Sequence, residues 1–200
     1  MRAFRRAMCV CWLLLAASPQ AQSPLPPGTW RIAEAPAELR YPISHADLIV
    51  VSMQDALRRE LTNALDQGGP AFAIQSCHID VIGAIQRIER SEGIAAGRTS
   101  DRLRSPTNAP RAWAAPLVKA NAGRLARDVD GFAVDLGNGV GVLRPIAERP
   151  MCAPCHGPAE KIGPAVSAAL KDRYPVDRAV GFTEGEIRGW FWVEVPKKPR

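Results

Sequence analysis

Phe132-Ala133-Val134-Asp135-Leu136-Gly137-Asn138-Gly139-Val140-Gly141-Val142-Leu143-Arg144-Pro145-Ile146 decides the fold. Phe132, Val134 and Leu136 recur with a period of two, which places their side chains on one face of a strand. Gly137-Asn138-Gly139 supplies a turn, and Val140 to Ile146 returns as the hairpin partner. Farther on, Gly189-Trp190-Phe191-Trp192-Val193-Glu194-Val195 is rich in the aromatic and β-branched residues that strands favour.

Upstream of the hairpin the period changes to that of helices. Ser44 can cap a helix running through Asp47, Leu48, Val51, Leu57, Leu61 and Leu65, with a stop at Gly68-Gly69. Pro70 suits the first turn of a second helix, expected to reach about Arg90. Its apolar stripe is Ile74, Cys77, Val81, Ile85 and Ile88. Residues 93–111 read as irregular, basic and proline-rich, and Ala165 to Leu170 as a short helix before a loop with Tyr174-Pro175. Helices first and antiparallel strands later define an α+β domain.

The amino terminus reads as an export signal. Met1-Arg2-Ala3-Phe4-Arg5-Arg6 is basic, Ala7 to Ala17 is apolar, and a cut after Ala21 is plausible. The apolar run is short for a bilayer span, so a membrane anchor is the weaker reading. The expected division is a signal peptide at 1–21, an extended proline-containing linker at 22–43 and one domain at 44–196. Without Arg2, Arg5 and Arg6 the chain keeps 23 basic against 20 acidic residues, a formal +3. With no dense basic run, that charge gives no case for nucleic-acid binding, and no stable membrane span is expected after the leader.

The leader gives weight to Cys152-Ala153-Pro154-Cys155-His156. C-x-x-C-H in an exported protein is an attachment site for c-type haem: the two thiols form thioethers and the histidine binds the iron. One covalent haem c per chain is therefore expected, in a periplasmic protein. Four-helix cytochromes also carry the motif late, but the hairpin and terminal strand do not suit a bundle. No methionine follows Met151, so the downstream methionine ligand of common small cytochromes is missing.

A second axial ligand must come from upstream or be absent. Cys77, His78, His45, Met53 and Met151 are the candidates. Cys77 and His78 flank the same helical stripe about 100° apart, so spacing does not choose between them. A buried free cysteine also packs well as a small hydrophobe.

Several segments together resemble one family. They are Pro70-Ala71-Phe72-Ala73-Ile74-Gln75-Ser76-Cys77; Gly97-Arg98-Thr99-Ser100; Arg104-Ser105-Pro106-Thr107-Asn108-Ala109-Pro110 with Trp113; the haem motif with Gly157; and Tyr174 to Phe182 followed by Glu184 to Gly189. They resemble the exported c-type haem domain with a PAS-like fold, long described as a domain of unknown function. The family occurs alone, as in a cyanobacterial haem protein, and as the sensor region of bacterial signalling proteins. The resemblance spans about residues 45 to 195. It implies a PAS-like sheet, His156 as proximal iron ligand and Cys77 as the opposite one. Ser105 and Ala114 depart from the family pattern, which more often has asparagine at the first position and usually an acidic residue at the second.

Arg98, Arg102 and Arg104 cluster near that middle signature, and arginine pairs well with carboxylates such as haem propionates. Arg98 and Arg104 are the expected propionate contacts, while Tyr174 and Trp113 either pack on porphyrin or belong to a core. The leading functional reading is a redox or gas sensor module acting through an unidentified signalling or redox partner. A periplasmic electron carrier is the alternative, and a small haem enzyme or thiol oxidoreductase is weaker. No substrate is indicated, so no catalytic residue is expected. A zinc site from Cys77, His78, Cys152 and Cys155 matches none of the usual spacings.

Overall fold

A computed structural model describes residues 24–92 and 94–197, without the side chains of 76–92. The expected signal peptide at 1–21 lies outside the described residues, as do the side chains of Cys77, His78, Val81, Ile85 and Ile88.

The hairpin forms as its pattern requires. Strand β3 (Phe132–Asp135) pairs antiparallel with β4 (Gly139–Ala147), Phe132 facing Leu143 and Asp135 facing Val140. The terminal strand β5 (Ile187–Pro196) lies on the other side of β4. Strands β1 (Thr29–Arg31) and β2 (Ala95–Thr99) complete an antiparallel sheet of order β1-β3-β4-β5-β2.

Two of these strands correct the sequence reading. Residues 22–43 are not a linker throughout: β1 pairs with β3, and Leu39, 5% exposed, sits in the core. The short Thr29-Trp30-Arg31 strand is stabilised by its neighbour rather than by its own length. The folded unit thus begins near Thr29, and the long helix α1 (Arg40–Glu92) starts before Ser44. Residues 93–111 are not wholly irregular either. Ala95-Ala96-Gly97-Arg98-Thr99 has weak strand propensity, yet all five residues pair with Glu194 through Trp190 of β5. A Cβ at Gly97 would stand 2.6 Å from Cζ2 of Trp192. The strand is poor in side chains because a tryptophan lies across it. Gly97→Ala is expected to lower the unfolding free energy by about 1–3 kcal/mol through overpacking, read from a urea midpoint.

Period-two alternation here sorts residues between two cores. Ala133, Val140, Val142, Phe191, Val193 and Val195 pack toward α1, meeting Ile43, Ala46, Ile49, Val50 and Met53. Phe132, Val134, Leu143 and Trp190 pack on the opposite face with Leu117 and Val118 of α2 (Ala115–Ala120). Val142, Leu143 and Val193 are fully buried, each contributing about 1.5–3 kcal/mol. Arg144 fastens α1 to the sheet: its Nε and Nη2 donate to the two Asp47 oxygens at 2.8 and 2.7 Å.

Helix α1 breaks where the glycines predict. Gly68 (φ −160°) and Gly69 (φ 70°, ψ −169°) leave helical geometry, and Pro70 opens the second half. The positive φ of Gly69 is the region that residues with a Cβ avoid. Beyond the break, Ile74 leaves the sheet and packs with Val166, Ala169 and Leu170 of α4 (Pro164–Arg173), against which Cys155 and Tyr174 also rest. Among the described residues, no helix is long and apolar enough to cross a membrane.

Candidate functional site

The path to the C-x-x-C-H motif starts at a register shift in β4 between Ile146 and Ala147. A bulge re-aims the chain, and Glu148 leaves the regular ladder while still exchanging backbone bonds with the segment before β5. Its N–H donates to the Glu186 carbonyl at 2.8 Å, and Gly185 N–H donates to the Glu148 carbonyl at 2.9 Å. A 3₁₀ turn (Pro150–Cys152) then leads into the single-turn helix α3 (Ala153–His156). Phe182 N–H donates to the His156 carbonyl at 3.0 Å, and Gly181 N–H to the Gly157 carbonyl at 2.8 Å. The Tyr174–Phe182 stretch is thereby zipped onto the motif.

These contacts fix the state of His156. Its Nδ1 lies 2.8 Å from the Ala179 carbonyl, which can only accept, so the proton sits on Nδ1 and the Nε2 lone pair is left for a metal. Arg104 Nη1 stands 3.4 Å from Nε2. Loss of solvent, followed by the nearby Arg188, Arg104 and Arg98 guanidinium groups, holds the ring well below the ordinary histidine pKa, against the Ala179 bond. The imidazole is neutral, the form that ligates. Cys152 and Cys155 are unpaired thiols, both half-buried. Burial raises the Cys155 pKa, partly offset by Arg104. Two adjacent free thiols and a neutral histidine with an unprotonated Nε2 are the donor set that covalent haem requires, so these residues fit the group. Iron at Nε2 requires the Arg104 guanidinium to swing away from that nitrogen.

Arg104 is held by more than the histidine. Its Nε donates to Asp177 Oδ2 at 3.0 Å, and its Nη2 donates to the carbonyls of Cys155 at 2.5 Å and Ala179 at 3.3 Å. Asp177 also accepts from Ala179 N–H at 2.8 Å through Oδ1. One carboxylate therefore positions both the arginine and the carbonyl that orients His156. Asp177→Ala is expected to cost on the order of 3 kcal/mol, because a largely buried guanidinium loses its counter-charge. The exposed Glu184→Ala should change the urea midpoint by less than about 0.5 kcal/mol equivalent.

Two further ion pairs surround the motif. Arg102 donates to Glu186 and to the Val180 carbonyl, while its guanidinium covers the Phe182 ring at 3.5 Å. Phe182 in turn meets His156 edge-on at 6.3 Å between centroids. Arg188 Nε lies 3.3 Å from Glu148 Oε2. Arg98 is half-buried on β2 opposite Phe191, close enough to act on the His156 charge.

The other expected residues are placed as follows. Met53 is buried against the sheet in a different cluster from Cys155, which removes it from the ligand candidates. Met151 is 45% exposed, and His45 lies beside the Tyr41 ring on the first half of α1. Trp113 belongs to the second core and donates to Glu194 at 2.8 Å, far along the sheet from the motif. Tyr174 rests against the cluster around Ile74 and Leu170, as Cys155 does, with the Arg104 guanidinium 5.9 Å from its ring centre. Position 77 falls three residues after Ile74 on the same helix, with its side chain outside the described residues. Among the described residues, no group of three or more His, Cys, Asp and Glu gathers as a metal site. Asp177, Glu186, Arg188 and Glu148 were not expected as site residues. They lie in or near segments that carry the family resemblance, but nothing local names their partners.

A long helix laid on an antiparallel sheet, with C-x-x-C-H on a single-turn helix shortly after the central strand β4, defines an α+β domain. The chain belongs to the Tll0287-like family, whose model matches residues 38–196. The crystal structure of the cyanobacterial heme-protein Tll0287 is similar, with a TM-score of 0.55 and 23% identity over 78% of this chain and 98% of that one. No curated protein matches.

Proposed function

We propose that this chain is an exported haem-binding protein carrying one covalent haem c and acting as a redox or gas sensor module. The reading rests on one observation above all. His156 follows two free cysteines at the attachment spacing, and its Nδ1–H is committed to Ala179 so that Nε2 is available to iron. Membership of a family named after a heme-protein supports the same cofactor. The haem supplies one-electron chemistry when bound. The protein supplies the rest: thiols for attachment, an oriented imidazole, and arginines that can balance propionate charge.

Cys77 is the proposed second axial ligand, with Arg98 and Arg104 as the proposed propionate partners. Arg104 already carries Asp177, so it would share its guanidinium between the two carboxylates. Sensing is favoured over simple electron shuttling by the construction of α1. Its first half packs on the sheet and its second half on α4 beside Cys155, with a glycine break between them. A change of coordination at position 77 would act on the second half and be relayed across that break.

The test is to express the full chain with haem-maturation machinery and measure its mass and its pyridine haemochrome spectrum. One covalently retained haem with the thioether-type spectrum is expected. Protein that matures without covalent haem would remove the reading.

A further inference from the structure

Three carboxylates face the arginines around the motif, and they are not equivalent. Glu186 accepts from Arg102 and, through Oε2, from the Thr183 N–H at 3.0 Å and hydroxyl at 3.2 Å. Asp177 accepts from Arg104 Nε and Ala179 N–H. Glu148 is 2% exposed, and neither of its carboxylate oxygens has a hydrogen-bond partner. Arg188 Nε lies 3.3 Å away but is not aligned to donate, and it too is buried without a partner. Hydrogen bonds to the charged form are what hold a buried carboxylate ionised. Glu186 and Asp177 have them, whereas Glu148 has only the field of nearby arginines, Arg188 foremost, with no hydrogen bond to its oxygens.

We propose that Glu148 is a redox-linked proton-binding site, taking up one proton when the haem iron takes up one electron. The inference rests on the haem reading above. Glu148 stands four residues before Cys152, its backbone is pinned to Gly185 and Glu186, and its charge acts on Cys155. An electron arriving at the iron makes the site more negative by one charge. Of the three carboxylates around the motif, the buried one without hydrogen bonds is the one that answers most readily by becoming neutral.

The balance is simple. A one-electron donor reduces ferric to ferrous iron, a proton from solvent binds one Glu148 oxygen, and the net charge of the site is unchanged. The reverse reaction releases both. The charged groups facing Glu148 are Arg188 on β5, Glu186 just before it, Arg102 and Arg104 from the loop after β2, and the Cys155 thiol on α3. Arg188, Arg104 and Arg102 favour the anion; Glu186 and burial oppose it, with burial dominant, so Glu148 rests above the ordinary glutamate range. That places its response nearer neutral pH than an exposed glutamate's.

The experiment is a mediated redox titration of the haem-loaded chain from pH 5 to 9, with Glu148→Gln alongside. The wild type should have a sloping region between the Glu148 pKa of the oxidised form and that of the reduced form, and level regions on either side. In the slope the midpoint potential falls by about 59 mV per tenfold drop in proton concentration. Glu148→Gln keeps the shape and a hydrogen-bonding oxygen but cannot titrate, so its curve should be flat.

A reduced-minus-oxidised infrared difference spectrum of the wild type gives an independent readout that needs no variant. It should contain a protonated-carboxyl band that Glu148→Gln lacks. A level wild-type curve, or a slope that survives in Glu148→Gln, overturns the assignment while leaving the haem reading intact. Absence of covalent haem overturns both.

Discussion

Serine in place of both Cys152 and Cys155 is expected to leave a chain that folds but carries no covalent haem. After denaturing electrophoresis, wild type should stain for haem peroxidase activity and the double variant should not. The effect is close to complete because thioether bonds survive denaturation whereas coordination to His156 does not. Either single variant should keep one thioether and a reduced stain. Folding should be little affected, since both residues are only half-buried and Cys155 contacts the satellite cluster around Ile74 and Leu170 rather than either main core. Circular dichroism would check this. A double variant that still stained would mean that haem is attached elsewhere, and the assignment of the motif would fail.

The reasons why that motif holds its geometry were only partly legible in the sequence. The two long strands were readable because their side chains announce them: Phe132 to Ile146 alternates around a glycine turn, and Trp190 to Val195 is aromatic and β-branched. The break at Gly68-Gly69 was readable because glycine followed by proline leaves a helix few alternatives. Strand β2 was hidden because Ala95, Ala96 and Gly97 have no strand signature of their own. They become a strand only because β5 offers an edge and Trp192 needs room above Gly97. Strand β1 was hidden by its length of three residues, and its pairing with β3 spans about a hundred positions.

The same division applies to the site. Cys152, Cys155 and His156 are contiguous and carry a spacing that chemistry makes specific. The groups that tune them are scattered: Asp177 reaches Arg104 across 73 positions and Glu186 reaches Arg102 across 84. Charged residues in loops are ordinarily solvated, so a single buried arginine or glutamate leaves no mark in composition or period. Only the register of β4 with β5, and the bulge at Ile146, bring Glu148 beside Arg188. Orientation of the histidine by a backbone carbonyl, that of Ala179, has no sequence signal, because every residue has one.

Cys77→Ala is expected to abolish the low-spin thiolate signature of the ferric haem in electron paramagnetic resonance, with His156 ligation retained. A thiolate donates electron density to iron and favours the ferric state, so its removal should raise the midpoint potential. A rise on the order of 100 mV is within the roughly 0.8 V over which axial ligands set haem potentials. Cys77→Met, which offers a neutral sulfur at the same helix position, should raise it as well. If the potential and the signal in Cys77→Ala match those of wild type, Cys77 is a packing residue and His78 becomes the group to change next. Loss of the signal with His78→Ala matching wild type would place the sulfur on the iron. The long helix would then have the two attachments a sensor needs, the sheet before Gly68-Gly69 and the haem after it. A reduced iron that weakens its bond to the sulfur would release the second half of α1 from the haem while the first half stays on the sheet, and the glycine break is where such a movement would be taken up.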